Sequence, residues 1–219
     1  MHIVKQFAQW FIQPVIRKRI HRADFYEFNG INLHIPSGVF HPKYFFSTKY
    51  LLKTILTLPI QNKRLLELGA GSGLISLTAA KAGAKVIASD ISATAIEALR
   101  SNSLSNNLPI DIVKSDLFDA IPIQNFDFIV INPPYYPKNP RNEFESAWYC
   151  GERFEYYHRL FPQLKKNISV NTITLMILAD GCDIETIKSI GNENGMQLAL
   201  YAQKKVWWEQ QYIFKIIVL

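Results

Sequence analysis

From residue 64 onwards, short apolar strands alternate with helices, and this alternation constrains the fold more than any other feature of the sequence. The first three strands read RLLELG, KVIASD and IDIVKSD, and helical segments separate them. Because these strands are apolar on both faces, they suit a mostly parallel sheet that helices cover on both sides. The sequence therefore predicts a doubly wound, Rossmann-like α/β domain with a seven-stranded sheet.

The last two predicted strands, MQLALYAQ and QYIFKIIVL, differ from the others in how they are connected. Only a short turn region separates them, which is too little chain for a crossover helix. We therefore expect an antiparallel last strand at the end of the otherwise parallel sheet.

The chain before residue 64 has a different pattern. Residues 3–20 carry apolar side chains at helical spacing, and Asn29-Gly30 between alternating apolar residues predicts a β-hairpin. We divide the chain into an N-terminal basic helix and hairpin extension, residues 1–37, and a main domain, residues 38–219. In the main domain, a first helix through about Leu58 is expected, with Ser47 or Thr48 as its cap.

Composition excludes several classes of protein. Hydrophobic residues make up 48% of the 219 residues, yet no window approaches the roughly 18 consecutive apolar residues of a membrane-spanning helix. The two cysteines, Cys150 and Cys182, form no CxxC pair, which argues against a disulfide framework and a structural zinc site. We expect a cytoplasmic protein without a metal.

The excess of basic residues lies near the start of the chain. Residues 1–53 contain eight Lys and Arg against two acids, whereas the remainder contains sixteen of each. Such a basic face can hold an acidic or phosphate-rich partner. A helix end whose lysines and arginines are simply solvated is an equally good interpretation, and the sequence leaves both open.

A glycine-rich loop follows the first strand of the alternating region. The segment LELGAGSG places Gly69, Gly71 and Gly73 where an open α/β sheet has its ligand crevice. Glycine lets the backbone pass close to a ligand at this point. Asp90 comes 21 residues after Gly69, at the end of the next strand, and is suited to binding both hydroxyls of a ribose. These residues indicate a nucleotide-containing cofactor.

Two details of the loop distinguish between such cofactors. The glycine spacing is G-x-G-x-G, and Leu74 stands where a dinucleotide-binding loop has its third glycine. Glu67 would place a carboxylate near a pyrophosphate, which is unfavourable, but near the ammonium group of a methionine moiety it is favourable. The loop therefore suits S-adenosylmethionine better than a dinucleotide.

Two further motifs follow in order, SDLF at 115–118 and NPPY at 132–135. Together with the glycine loop and the acid that follows it, they make the chain resemble class I S-adenosylmethionine-dependent methyltransferases that act on nitrogens conjugated to a π system. The resemblance implies S-adenosylmethionine as cofactor and S-adenosylhomocysteine as product. It also implies that Asp116 contacts the adenine amino group, that Leu117 supplies a backbone contact, and that Thr48 is a further cofactor-binding residue.

The NPPY motif suits the chemistry of a planar nitrogen, whose delocalised lone pair makes it a poor nucleophile. The Asn132 side-chain oxygen and the Pro133 carbonyl can accept hydrogen bonds from its N–H groups. They thereby direct its lone pair toward the methyl group of the cofactor, so no strong base is needed. Pro133 and Pro134 hold the residues before them extended, which presets both acceptors. Tyr135 is expected to lie against the flat face of the substrate.

The segment AWYCGERFEYYHRLFPQLKKNI, which follows NPPY, resembles the HemK (PrmC-like) glutamine methyltransferases, in particular their short members. This resemblance implies a protein substrate, such as the glutamine of a Gly-Gly-Gln loop in a peptide-chain release factor. Cys150 departs from the family pattern, which has a small residue there, and Ser47 stands where the family has an acid. In place of the family's helical substrate-docking domain, we expect residues 1–37 to form a basic helix and hairpin.

Other functions remain open at this stage. The substrate can instead be an adenine of tRNA, rRNA or DNA, with Tyr135 and Tyr136 stacking on the base and the basic residues near 17–22 holding phosphates. A cofactor-binding scaffold without catalysis is a third interpretation, since fold does not fix activity. An activating partner subunit is neither indicated nor excluded.

An aromatic group beyond NPPY has two interpretations. Its side chains can form a lid over the site or belong to the core, and aromatic residues at helical spacing are more often core. The group comprises Trp148, Tyr149, Phe154, Tyr156 and Tyr157.

Overall fold

The structure is a computed structural model that describes residues 22–122, 124–206 and 209–219 of the chain. Its strands are β1 (Asp24–Phe28), β2 (Ile31–Ile35), β3 (Arg64–Leu68), β4 (Lys85–Asp90), β5 (Asp111–Lys114), β6 (Phe128–Ile131), β7 (Ile173–Ala179), β8 (Met196–Val206) and β9 (Glu209–Val218). Its helices are α1 (Phe46–Ile55), α2 (Leu74–Lys81), α3 (Ala93–Ser105), α4 (Glu143–Ser146), α5 (Glu155–Asn167) and α6 (Ile184–Glu193).

Seven of the strands form one sheet in the order β5-β4-β3-β6-β7-β9-β8. The five strands from β5 to β7 are parallel, and β9 is antiparallel to both β7 and β8. The order changes direction between β3 and β6, which is where open α/β sheets form their ligand crevice. The predicted fold class, a mostly parallel seven-stranded sheet with an antiparallel last strand, is confirmed.

The central strands are buried on both faces, as their apolar sequences predict. Neighbouring side chains of one strand enter different cores, because successive residues of a strand point to opposite faces. Leu65 and Val130 lie in one buried cluster, whereas Leu66 and Ile129 lie in the other. The helices on both faces thereby fix the carboxyl ends of β3, β4 and β6 relative to each other.

The N-terminal hairpin was predicted correctly. Asn29 and Gly30 join β1 to β2, and both have positive φ angles of 51° and 72°, as the two central residues of a tight hairpin turn require. The predicted helix over residues 3–20 lies outside the described residues. The division of the chain after residue 37 stays a prediction, and β2 packs against α2 and α3 of the main domain.

Helix α1 differs from the prediction at both ends. It begins at Phe46 after Phe45 and has no side-chain cap, so neither Ser47 nor Thr48 caps it. Both hydroxyl residues lie inside its first turn and are buried. The helix ends at Ile55 rather than near Leu58. The Leu56 amide still donates to the Leu52 carbonyl four residues back, but the Thr57 amide donates to the Thr54 carbonyl only three residues back. By contrast, Ser92 caps α3 as predicted, since its hydroxyl oxygen accepts from the Ala95 amide at 3.4 Å.

Two features are absent from the residues that the structure describes. No helix in this part of the chain is long and apolar enough to cross a membrane. The same part contains no group of three or more His, Cys, Asp or Glu side chains that could hold a metal ion.

Candidate active site

A cavity of about 380 Å³ opens at the carboxyl edge of the sheet. Its walls are formed by the glycine loop after β3, the end of β4, the SDLF segment after β5 and the NPPY segment after β6. This volume lies in the range of pockets that hold small-molecule ligands. The structure thus brings all the motifs that the sequence singled out to one cavity.

The glycine loop leaves open space on its cavity side. Gly69, Gly71 and Gly73 have φ angles of 71°, 55° and 90°, a region that side-chain-bearing residues rarely adopt. A β-carbon built on Gly69 would have no atom within 4 Å, so the backbone there is accessible to a ligand. Gly73 is needed for a different reason. A β-carbon at this position would lie only 2.7 Å from the Leu99 side chain in α3. Gly69 therefore keeps the loop backbone accessible to a ligand, and Gly73 lets the loop pack closely against α3.

Asp90 is held rigidly at the end of β4. Its two carboxylate oxygens accept from the backbone amides of Gly71 and Ser92, each at 2.9 Å. Burial raises the pKa of Asp90, and these amide donors act in the opposite direction. The Ile91 amide also bonds Asp90. A carboxylate has about four acceptor sites, so Asp90 can still accept a hydroxyl group from a ligand.

Glu67 lies beneath the glycine loop and is almost completely buried. One of its oxygens accepts from both the backbone amide and the hydroxyl of Ser76, in the first turn of α2. Burial raises the pKa of Glu67 to about 8, although the Ser76 donors lower it. A cationic group in the cavity would be stabilised by this carboxylate and would in turn favour its ionised form.

The SDLF segment holds a partner that the sequence did not indicate. Asp116 forms an ion pair with Arg159 of α5, whose Nη2 lies 2.6 Å from the Asp116 carboxylate. Leu117 has a φ of 51° and is buried, and its carbonyl accepts from the Ser115 hydroxyl at 2.9 Å. Arg159 was missed because no local spacing links it to a residue 43 positions earlier.

The NPPY segment is fixed by side chains on both sides of it. The Asn132 amide nitrogen donates to the Thr48 hydroxyl oxygen at 3.3 Å, and the Tyr135 hydroxyl donates to the Asn132 oxygen at 2.5 Å. The Pro134 carbonyl accepts from the Tyr157 hydroxyl at 3.0 Å. The sequence predicted only that the Tyr135 ring lies against the substrate. The structure adds a polar contact between its hydroxyl and Asn132.

The aromatic residues beyond NPPY divide between the core and the lining of the cavity. Tyr157 is fully buried in the core. The Trp148 carbonyl accepts from the amides of Tyr135 and Tyr136, which attaches this segment to the NPPY turn. The Trp148 ring packs against Phe40 and Phe45, with centroids 5.0 and 4.7 Å away. The core interpretation thus holds for Tyr157, whereas the lid stays a prediction.

The sequence around this cavity matches a known protein family. Residues 30–146 match the model of the family described as the methyltransferase small domain, more than half of the chain. The chain belongs to this family and is an S-adenosylmethionine-dependent methyltransferase.

Similar proteins agree with this class. Over 196 residues the chain is 36% identical to a Methanocaldococcus jannaschii protein named as a protein N5-glutamine methyltransferase; the match covers 84% of this chain and 94% of that protein. It is 35% identical to the release factor glutamine methyltransferase of Streptococcus pneumoniae over 147 residues, 64% of this chain and only 50% of that enzyme. The chain thus corresponds to nearly all of the archaeal protein and to half of the bacterial one.

Solved structures have the same fold at low sequence identity. The Thermus thermophilus 16S rRNA methyltransferase RsmC, in complex with AdoMet and guanosine, has a TM-score of 0.65 at 19% identity, covering 89% of this chain and 50% of that one. Mtq2 from E. cuniculi, in complex with Trm112, has a TM-score of 0.62 at 20% identity, covering 83% and 99%. These neighbours are named for different substrates, so they support the fold alone.

The residues at the cavity fit S-adenosylmethionine. Gly69 leaves open space where a ligand can approach the backbone, and Asp90 keeps acceptor capacity for a ligand hydroxyl group. Glu67 provides a buried carboxylate for a cationic group. The cavity thus supplies complementary groups for the two polar ends of this cofactor.

Proposed function

We propose that the protein methylates the side-chain amide nitrogen of a glutamine in a protein substrate, such as a peptide-chain release factor. The observation that carries this proposal is the position of Asn132, whose side-chain oxygen is fixed by Tyr135 at the wall of the cofactor cavity. The archaeal relative, of which the chain spans 94%, is named as a protein N5-glutamine methyltransferase, and this name supports the same substrate class. We propose that it acts in the cytoplasm, where such a substrate is made and used.

Asn132 and Pro133 are the proposed acceptors for the two N–H groups of the substrate amide. The Asn132 oxygen has two lone pairs, and the Tyr135 hydroxyl occupies one of them, so the other is available to the substrate. The Pro134 carbonyl is bound by Tyr157, which fixes the turn without using the carbonyl of Pro133. Fixed acceptors of this kind stabilise a transition state because they do not need to reorganise during the reaction.

S-adenosylmethionine, when bound, supplies an electrophilic methyl group on a positively charged sulfur. We propose that Asp90 binds its ribose, that Glu67 interacts with its ammonium group, and that the loop of Gly69, Gly71 and Gly73 lies against it. Asp116 and Leu117 are proposed to contact the adenine. The Arg159 guanidinium keeps one carboxylate oxygen of Asp116 occupied and leaves the other for a donor.

The N-terminal extension, residues 1–37, is proposed to take part in substrate docking. Its hairpin lies on the main domain, and its turn residues Asn29 and Gly30 are held by the Lys81 ammonium group at 3.0 and 3.3 Å. A basic segment precedes this hairpin in the sequence. Removal of residues 1–21 is expected to weaken substrate binding while leaving cofactor binding unchanged.

The test is transfer of tritium from labelled S-adenosylmethionine to a release-factor preparation and to total tRNA in parallel. We expect label in the release factor, and mass spectrometry of its peptides to place one methyl group on a glutamine. Label in tRNA alone would replace the proposal with adenine methylation. Label in neither, with cofactor binding still measurable by calorimetry, would leave a non-catalytic cofactor-binding protein.

A further inference from the structure

The orientation of the Asn132 amide decides what this residue can do. A carboxamide has nearly the same shape when its oxygen and nitrogen exchange places, but one end accepts hydrogen bonds and the other only donates them. The acceptor role proposed for Asn132 requires its oxygen, not its nitrogen, to face the substrate. Something in the fold must therefore hold the nitrogen end in place.

The nitrogen end of Asn132 contacts Thr48. The Thr48 hydroxyl oxygen accepts from the Asn132 nitrogen at 3.3 Å, across 84 positions of sequence. Thr48 lies in the first turn of α1 and is buried. At the other end, Tyr135 donates to the Asn132 oxygen, and burial raises the pKa of Tyr135 well above its usual value, so this hydroxyl keeps its proton.

Helix α1 gives this contact a rigid support. Leu51, Leu52 and Ile55 on the same helix are completely buried in one of the two main cores. Since a packed helix moves little, the hydroxyl of Thr48 has a defined position relative to the end of β6. The contact therefore joins the catalytic motif to an element that the NPPY sequence does not contain.

We propose that Thr48 is a positioning residue that fixes the Asn132 amide with its oxygen toward the substrate. This role rests on the proposed function, and it differs from the cofactor-binding role that the sequence suggested for Thr48. The two roles predict different effects of substituting Thr48. A cofactor-binding residue affects cofactor affinity, whereas a positioning residue affects the rate of methyl transfer from the bound cofactor.

The experiment compares Thr48→Val, which keeps the shape and removes the acceptor, with Thr48→Ser, which keeps the hydroxyl. Thr54→Val is the matched control, because the Thr54 hydroxyl donates to the Tyr50 carbonyl of the same helix at 3.1 Å. Losing one neutral hydrogen bond is expected to lower the single-turnover rate of Thr48→Val about threefold to tenfold. Cofactor affinity by calorimetry should stay unchanged, and Thr48→Ser should recover most of the rate.

A weakened cofactor affinity with an unchanged single-turnover rate in Thr48→Val would overturn the proposal. If the wild-type protein labels an acceptor other than glutamine, the proposed function fails, and the same variants are then measured with that acceptor. A second measurement needs no methyl-accepting substrate. The side-chain amide signal of Asn132, assigned by its loss in Asn132→Ala, should shift in Thr48→Val and not in Thr54→Val. Identical spectra for both threonine variants would also contradict the proposal.

Discussion

At the scale of single residues, the site contains two polar side chains with different tasks, a partly buried amide and a buried carboxyl group. Asn132 carries no charge at any pH, so it can accept hydrogen bonds from a substrate but cannot remove a proton as a base does. Glu67 is ionisable, and burial makes its charge depend on what the cavity holds. The reaction is therefore expected to depend on pH mainly through cofactor binding at Glu67.

We predict that cofactor binding releases a proton below about pH 8. The pKa of Glu67 is about 8 without a cationic neighbour, and the cofactor's ammonium group would lower it. Binding should therefore strengthen as the pH rises toward 8 and become insensitive above it. Calorimetry in buffers of different ionisation enthalpy measures the proton directly. The control is Glu67→Gln, which should show no release, and pH-independent binding by the wild type would contradict this role.

The same raised pKa affects stability in the opposite direction. The folded protein keeps a proton on Glu67 that the unfolded chain, with the usual value of 4.5, already loses at lower pH. Glu67 should thus lower the free energy of unfolding as the pH rises from 4.5 to about 8. Urea unfolding across this range should show a smaller decline in Glu67→Gln than in the wild type. A parallel decline in both proteins would exclude Glu67 as the cause.

The sequence predicted individual site residues where chemistry and spacing are local. Asp90 ends a strand, and Gly69 and Asn132 each directly follow one, so their presence at one sheet edge follows from the parallel arrangement. The roles of Arg159 and Tyr157 in supporting the site could not be found in this way. Both lie on α5, and their contacts with Asp116 and Pro134 depend on how that helix packs.

At the scale of elements, α3 joins the hairpin to the glycine loop. Its buried Asn102 accepts from the His34 amide at 2.8 Å, and donates to the carbonyls of His34 and Ser72 at 3.0 and 2.9 Å. Asn106, one turn later, accepts from the Asn32 amide at 2.8 Å but in an exposed position. One side chain thus connects the edge of β2 to the loop that lines the cavity.

We predict that Asn102→Ala destabilises the protein by about 2–4 kcal/mol, because it leaves buried backbone groups without partners. Asn106→Ala, the matched control, should cost less, since water can replace its bonds to the hairpin. Urea unfolding measures both values. Asn102→Ala should also weaken cofactor binding, as it frees the Ser72 carbonyl of the glycine loop. Equal destabilisation by the two variants would argue against the importance of the buried connection.

The start of α1 shows where element boundaries escape sequence reasoning. Ser47 and Thr48 have the side chains of helix caps, yet the helix begins at Phe46, before either of them. Thr48 instead bonds Asn132, and this tertiary contact competes with capping for the same hydroxyl. A residue type that suits a cap can therefore mark a functional contact.

At the scale of the whole molecule, the hairpin shares a core with the main domain. Ile31, Leu33 and Ile35 of β2 are fully buried and lie in the same cluster as Leu65 of β3 and Leu51 of α1. The division after residue 37 follows a change in sequence pattern, whereas burial joins the two sides of it. Alternating strands and helices predicted the sheet correctly, but packing of this kind depends on long-range contacts that no local pattern contains.

We predict that the hairpin unfolds together with the sheet. The hydrogen-bonded amides of β2 should exchange with the same free energy of opening as those of β3, because both lie over one core. Native-state hydrogen exchange at increasing urea measures this quantity for each amide. Exchange of β2 at much lower free energy, with β3 still protected, would show instead that residues 1–37 form a separate unit.

The most direct test of the account is the single-turnover rate of Asn132→Ala, measured beside its affinity for S-adenosylmethionine. If Asn132 holds the planar nitrogen of the substrate, the variant should bind the cofactor as the wild type does and transfer the methyl group at least about 100-fold more slowly, the loss typical of one fixed transition-state donor or acceptor. Wild-type turnover in Asn132→Ala would contradict the account, because the reaction would then proceed without the acceptor on which the proposed mechanism depends.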